Sequence, residues 1–174
     1  MSRRRWRCSR RVPIRGESPS SATARARISW RWWEPTPAYL RGAGLSFADV
    51  DGIVALDGAA YDVAAQFADG PDIMGRTYRR AFGVEPERQA RLSPTVQAGA
   101  PNAAQFLILH VQREDGIRQS EALAAGLREA GTAAETRGFP SSGLQGHAEI
   151  NRRLGDEDYP ATAVLDAFLE RIFA

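Results

Sequence analysis

The sequence predicts an α/β fold in which a mostly parallel sheet is flanked by helices. Two short apolar runs, residues 50–58 and residues 105–111, are each followed by a segment with helical spacing of its apolar residues. Apolar runs that do not alternate with polar residues are typical of parallel strands buried on both faces. Strands that alternate with helices along the chain favour an open, mostly parallel sheet.

The stretch between the two runs, residues 59–92, is expected to be helical or irregular. Within it Met74, Tyr78 and Phe82 recur at helical spacing, which predicts one apolar helix face. The same side chains could line an acyl pocket, but a stripe of this spacing is more typical of a packing face.

Three more elements are predicted after the run at 105–111. A helix is expected over 117–130, and residues 133–137 form a weaker strand candidate. A loop that holds His147 then leads to a last helix, which has Pro160 in its first turn. The apolar stripe of that helix consists of Val164, Leu165, Phe168, Leu169 and Ile172.

Composition excludes several classes of protein. The chain has 174 residues, of which 43% are hydrophobic and 25% charged, as in an ordinary globular domain. No apolar run approaches the ~20 residues of a membrane span. Cys8 is the single cysteine, which excludes a disulfide framework and a cysteine-rich metal site. We expect a cytoplasmic protein.

The first 37 residues differ in composition from the rest of the chain. Residues 1–37 hold ten arginines, two acids and all four tryptophans, whereas residues 38–174 hold thirteen arginines and nineteen acids. No helical or strand period can be drawn through the basic part. We therefore expect residues 1–37 to be unstructured and residues 38–174 to form the folded domain.

The Arg/Trp-rich segment has several possible interpretations. It could bind nucleic acid through phosphate contacts and base stacking, or lie on an anionic membrane surface. Its composition is also typical of an organelle transit peptide. The alternative function is therefore that of a non-catalytic protein that binds nucleic acid or an anionic membrane through this segment. Nucleic acid is nevertheless not the partner that we expect for this chain.

A further interpretation of residues 1–37 is that they are translated out of frame. The chain has no lysine and abundant Ala, Gly and Arg, which indicates GC-rich coding DNA. If the codons are read one base earlier, residues 22–26 permit Gly-His-Ser-Ala-Gly, a G-x-S-x-G nucleophile elbow. Residues 18–21 then permit a buried strand and residues 27–34 an apolar helix start, which is the context that an elbow requires.

Two polar residues follow predicted strands and suggest chemistry. Asp115 comes just after the strand at 105–111, and His147 lies on the predicted loop after the next strand. Catalytic groups of open α/β sheets collect at the carboxyl ends of the strands. An acid and then a histidine at that edge can act as the orienting carboxylate and the general base. Glu114 is a weaker rival for the acid, and His110, inside the strand end, is expected to be structural.

These residues lie within a longer resemblance. The segment FLILHVQREDGIRQSEALAAGLREAG, followed by GHAEINRRLG and a closing helix, resembles the C-terminal half of α/β-hydrolase-fold esterases. The nearest likeness is to the carboxylesterase/lipase and arylformamidase-like group, and it extends over residues 38–174. The resemblance implies that Asp115 is the triad acid, that His147 is the base, and that the substrate is a small ester or amide. It implies no metal and no organic cofactor.

The chain as written departs from this family at the nucleophile. It contains no G-x-S-x-G motif and no H-G-G type oxyanion loop. Ser46, within Gly44-Leu45-Ser46-Phe47-Ala48, is the nearest substitute, but a loop precedes it and a strand follows, which is the wrong context for an elbow. We therefore expect a truncated or frameshifted hydrolase that is inactive as written.

Overall fold

Three parallel strands form the sheet of the computed structural model, which describes residues 40–70, 72–99 and 101–174. The strands are β1 (Ile53–Leu56), β2 (Gln105–Gln112) and β3 (Ala133–Ser142), arranged in the order β1-β2-β3. Ile53 is paired with Phe106 and Gln105 with Ala133. The predicted α/β class and the parallel sheet are thereby confirmed.

Helices connect and cover the strands. Six α-helices lie wholly within the described ranges: α1 (Val63–Asp69), α2 (Gly75–Phe82), α3 (Pro86–Arg91), α4 (Glu114–Glu129), α5 (Gly143–Arg153) and α6 (Pro160–Phe173). Two short 3₁₀ helices, Phe47–Asp49 and Asp72–Met74, precede β1 and α2 respectively. In the described part of the chain, no helix is both long and apolar enough to cross a membrane.

The central strand β2 carries the core on both of its faces. Successive side chains of a strand point to opposite faces, and the apolar residues of β2 therefore contribute to two hydrophobic clusters. The first cluster includes Phe106 and Ile108 of β2 with Leu123 and Leu127 of α4. The second includes Leu107, Leu109 and Val111 of β2 with Ile150 of α5 and Phe168 of α6. Helices thus cover both faces of the sheet.

A third cluster lies among the helices between β1 and β2. Tyr78 and Phe82 are buried there together with Val63, and Met74 packs against them. The stripe at 74, 78 and 82 is thus a packing face, as its spacing predicts.

Two predicted loops are helical in the structure. Asp115 lies in the first turn of α4, which begins at Glu114 rather than at residue 117. The expectation that His147 lies on a loop is wrong, because His147 is inside α5. The strand β3 continues through Pro140 to Ser142, which is possible because proline is tolerated on an edge strand. Helix α5 then starts directly at the strand's end.

The two edges of the sheet differ. The strand β3 forms one edge, and β1 forms the other, pairing with β2 alone among the described residues. All four residues of β1 are only partly buried although they are apolar. The expectations for residues 1–37, including Cys8 and the tryptophans, concern a segment outside the described residues.

Candidate active site

The site is built around Asp57, which directly follows β1. Its backbone N–H donates to the carbonyl of Leu109 at 2.6 Å, and its Oδ1 accepts from the backbone N–H of Val111 at 3.0 Å. The residue is fully buried and has a left-handed φ of 41°. Such a conformation is uncommon for a residue other than glycine, and Asp tolerates it better than most. Two bonds to β2 therefore fix the carboxylate at the carboxyl edge of the sheet.

His147, a residue of α5, contacts the carboxylate of Asp57. Its Nδ1 lies 2.8 Å from Oδ2 of Asp57, and 34% of its side chain is exposed. Because an ionised carboxylate can only accept, the hydrogen of the neutral imidazole belongs on Nδ1 and Nε2 is left as an acceptor. A buried acid that fixes this tautomer is the arrangement by which a histidine becomes a general base.

A close approach between β3 and α5 places His147 there. Gly143, the first residue of α5, has a left-handed φ of 58°, which glycine adopts without strain. Gly146 is buried so tightly that a Cβ atom would lie 2.7 Å from the carbonyl carbon of Ser141. The absence of a side chain at Gly146 lets the first turns of α5 fold back over the strand end.

Asp115 occupies a neighbouring position but does not reach the imidazole. Its Oδ2 accepts from Nε2 of Gln66 at 3.1 Å and from Nη1 of Arg113 at 3.4 Å. In the described ranges, the carboxylate that bonds to His147 belongs to Asp57. The structure therefore does not bring the two sequence-predicted residues together, and a role of Asp115 as triad acid stays a prediction from the resemblance. Asp115 faces Arg113 and Gln66 because α4 begins one residue before it.

Two buried tyrosines border the site. The hydroxyl of Tyr61 accepts from the backbone N–H of Gly58 at 3.1 Å, and burial raises its pKa well above the ordinary value of 10.0. The pKa of Tyr78 is also raised, first by burial and then by the charge of Asp115. Both phenols therefore keep their protons near neutral pH and cannot act as bases there.

The other residues weighed for chemistry lie away from the imidazole or have structural partners. The exposed side chain of Ser46 donates through Oγ to Oδ2 of Asp49 at 2.9 Å, and it precedes the amino end of β1, opposite to the edge with His147. Hydrogen bonds from Ser46 lower the pKa of Asp49. His110 is buried against Gly138, its partner on β3. The side chain of Glu114 is 94% exposed.

A shallow concavity of about 330 Å³ lies beside the site. It is lined by Asp69, Arg113, Glu114, Asp115, Arg118, Gly143 and Leu144. The lining mixes acids and arginines that pair with one another, as Arg118 does with Asp69 at 3.3 Å. In the ranges that the structure describes, no three His, Cys, Asp or Glu side chains are grouped so that they could hold a metal ion.

Comparisons with protein-family models, with curated proteins and with solved structures found no match to this chain. Sequence reasoning missed Asp57, although the signal was present, since this acid lies near the end of an apolar run that predicts a parallel strand.

Proposed function

We propose that this chain carries the acid and base of a serine-type hydrolase of the α/β-hydrolase class, acting on carboxylic esters or related amides. The observation that carries the proposal is the bond between the fully buried carboxylate of Asp57 and Nδ1 of His147. The parallel sheet places this pair at the strand ends, where the catalytic groups of open α/β proteins collect.

The proposed chemistry gives each residue of the pair one task. Nε2 of His147 takes the proton of a serine hydroxyl while the serine oxygen attacks the substrate carbonyl. The resulting imidazolium returns the proton to the leaving group, and a second cycle with water releases the acyl group. Asp57 keeps the proton on Nδ1 and stabilises the imidazolium.

The nucleophile of this proposal lies outside the described residues. Within the described ranges, no serine hydroxyl forms a hydrogen bond with His147, and Ser46 bonds to Asp49 instead. The edge of β1 that is unpaired among the described residues offers a place for one more parallel strand, whose carboxyl end would then lie beside Asp57. The Gly-His-Ser-Ala-Gly sequence permitted by the alternative reading of residues 22–26 follows such a strand.

The decisive experiment compares the chain as written with a version whose upstream reading frame is shifted by one base before codon 38. Both are treated with a fluorophosphonate, which labels activated serines, and are assayed on short acyl esters. We expect no labelling of the first chain and stoichiometric labelling of the serine in the elbow of the second. His147→Ala should abolish that labelling, and His110→Ala, which changes the other histidine, should not.

Two results would contradict the proposal. Labelling of Ser46 that depends on His147 would contradict the placement of the nucleophile outside the described residues, and would show that the chain as written is an enzyme by itself. A frame-shifted chain that folds but is not labelled would show that the Asp57–His147 pair does not serve a serine nucleophile. The nucleotide sequence is the cheapest control, because the frame hypothesis fails if the DNA does not encode the elbow.

A further inference from the structure

Arg113 lies between the two carboxylates at this edge of the sheet. Its side chain is only 10% exposed. The guanidinium Nε is 3.5 Å from Oδ2 of Asp57, the oxygen that also bonds to His147, and Nη1 is 3.4 Å from Oδ2 of Asp115. One cation is therefore shared by the acid that contacts the imidazole and by the acid that does not.

We propose that Arg113 is a positioning residue for His147 and that Asp115 acts through Arg113 rather than on the imidazole. The catalytic meaning of this inference rests on the proposed function, but the positioning itself does not. It assigns separate tasks to two aspartates that look equivalent in the sequence.

The buried carboxylate of Asp57 needs a positive charge beside it. A carboxylate without solvent exposure is costly unless it is paired and hydrogen-bonded. The backbone N–H of Val111 and the neutral imidazole supply hydrogen bonds but no full positive charge. Among the residues that the structure describes, Arg113 is the one arginine within 4.0 Å of this carboxylate. It therefore supplies the positive charge beside the carboxylate that accepts from Nδ1 of His147.

Polar contacts with two other residues hold the Arg113 side chain in place. Its Nη2 lies 3.4 Å from the carbonyl oxygen of Gly58, in the loop that follows Asp57. Asp115 holds Nη1 and is itself held by Gln66, whose side chain is buried and also accepts from the backbone N–H of Ala60 at 3.0 Å. A chain of polar contacts thus runs from α1 through Asp115 to the guanidinium.

The first turn of α4 packs closely against the guanidinium of Arg113. Gly116 is buried in the first turn of α4, and a Cβ atom there would lie 2.9 Å from Nη2 of Arg113. The helix therefore leaves room for the planar group at this position. The buried Nε has no hydrogen-bond partner within the described residues, so its contact with Asp57 is electrostatic.

The test follows the Nδ1–H proton of His147 by NMR in the full chain labelled with ¹⁵N-histidine. The chain has two histidines, and the signal is assigned by its loss in His147→Gln. We expect Arg113→Gln to accelerate the exchange of this proton with water about tenfold, because a charged partner of the hydrogen bond is no longer fixed. Arg113→Lys, which keeps the charge but not the planar fork, should give a smaller acceleration.

Arg118→Gln is the matched control. Arg118 lies farther along α4 and pairs with Asp69 and Glu114 rather than with Asp57, so its removal should leave the exchange unchanged. The double variant Asp57→Asn/Arg113→Gln should exchange no faster than Asp57→Asn alone, because residues that act through one another are not additive. Thermal unfolding of each variant shows whether it is folded.

Three results would overturn the inference: unchanged exchange in a folded Arg113→Gln, equal acceleration in Arg118→Gln, or additivity in the double variant. If Arg113→Gln does not fold, Arg113→Lys and Asp115→Asn decide instead, and no acceleration in either contradicts the proposal. The readout needs no nucleophile. A frame-shifted chain that resists the fluorophosphonate would therefore refute the hydrolase and leave this inference standing.

Discussion

The ends of β1 and β2 carry the same acidic residue in different surroundings. Asp57 is fully buried, is bonded to β2 through its backbone and one oxygen, and contacts His147 with the other oxygen. Asp115 is 12% exposed by its side chain, lies in a helix turn, and is bonded to Gln66 and Arg113. Both follow strands of one parallel sheet, and only one of them contacts the imidazole. Position after a strand therefore identifies both aspartates as candidates, and the tertiary contacts show which of them bonds to His147.

The largest expected difference between the two acids is catalytic. In the frame-shifted chain, Asp57→Asn should lower kcat on a short acyl ester by about 10⁴-fold, because the amide no longer fixes the Nδ1–H tautomer. Asp115→Asn should cost only about tenfold, the effect of one weakened indirect contact. Steady-state kinetics of the two variants measure this. A larger loss in Asp115→Asn would restore Asp115 as the acid.

The second difference concerns stability. Asp57→Ala leaves the buried N–H of Val111 without its acceptor and removes one of the two carboxylates beside the Arg113 cation, and should lower the free energy of unfolding by about 3–5 kcal/mol. Asp115→Ala should cost about 1–3 kcal/mol, since its carboxylate is partly exposed. Urea unfolding of the full chain tests both. Equal losses of unfolding free energy in the two variants would mean that the contacts of the two carboxylates contribute equally to stability.

These two acids also show how far the sequence predicts the site. The continuous apolar run of β2 and the stripe of α6 are dictated by burial, and they are recognisable without a structure. Asp57 is preceded by a run of only four paired residues and followed by glycine, a local pattern typical of a strand end and nothing more. Its contact with His147 is made by α5, which starts at Gly143 directly after β3 has continued through Pro140. No local pattern contains that contact.

The third difference is in alkaline stability, through the tyrosine beside each acid. Burial raises the pKa of Tyr61, near Asp57, and that of Tyr78, near Asp115, above the ordinary 10.0. Above about pH 10 the unfolded chain loses these protons while the folded chain keeps them, so folding stability falls as the pH rises. Each retained proton costs up to about 1.4 kcal/mol per pH unit.

The contribution of Tyr61 to this loss should be the greater, because burial raises the pKa of Tyr61 further than that of Tyr78. Thermal unfolding between about pH 9 and pH 11 should show a steep decline that Tyr61→Phe flattens more than Tyr78→Phe. Below pH 9 the two substitutions should not change the slope with pH. If Tyr78→Phe flattened the decline more, the loop after β1 would be less closed than the structure shows.

The smallest expected effect separates Asp115 from its neighbour Glu114. The side chain of Glu114 is 94% exposed, and its ion pair with Arg118 is 3.8 Å long. Exposed pairs of this kind contribute about 0–1 kcal/mol, and an acid in the first turn of a helix adds about 0.3–1 kcal/mol through the helix dipole. Glu114→Gln should therefore lower the free energy of unfolding by no more than about 2 kcal/mol, the combined upper bound of these two contributions, and it should leave the exchange of the His147 Nδ1–H unchanged. Asp115→Asn changes the same type of group one residue away, and it should accelerate that exchange because it releases Arg113.

Proton exchange measured for Glu114→Gln and Asp115→Asn in one buffer tests this expected difference. If the two variants behaved alike, the effect would come from the negative charge at the start of α4 in general, and the contacts of Asp115 with Arg113 and Gln66 would not explain it.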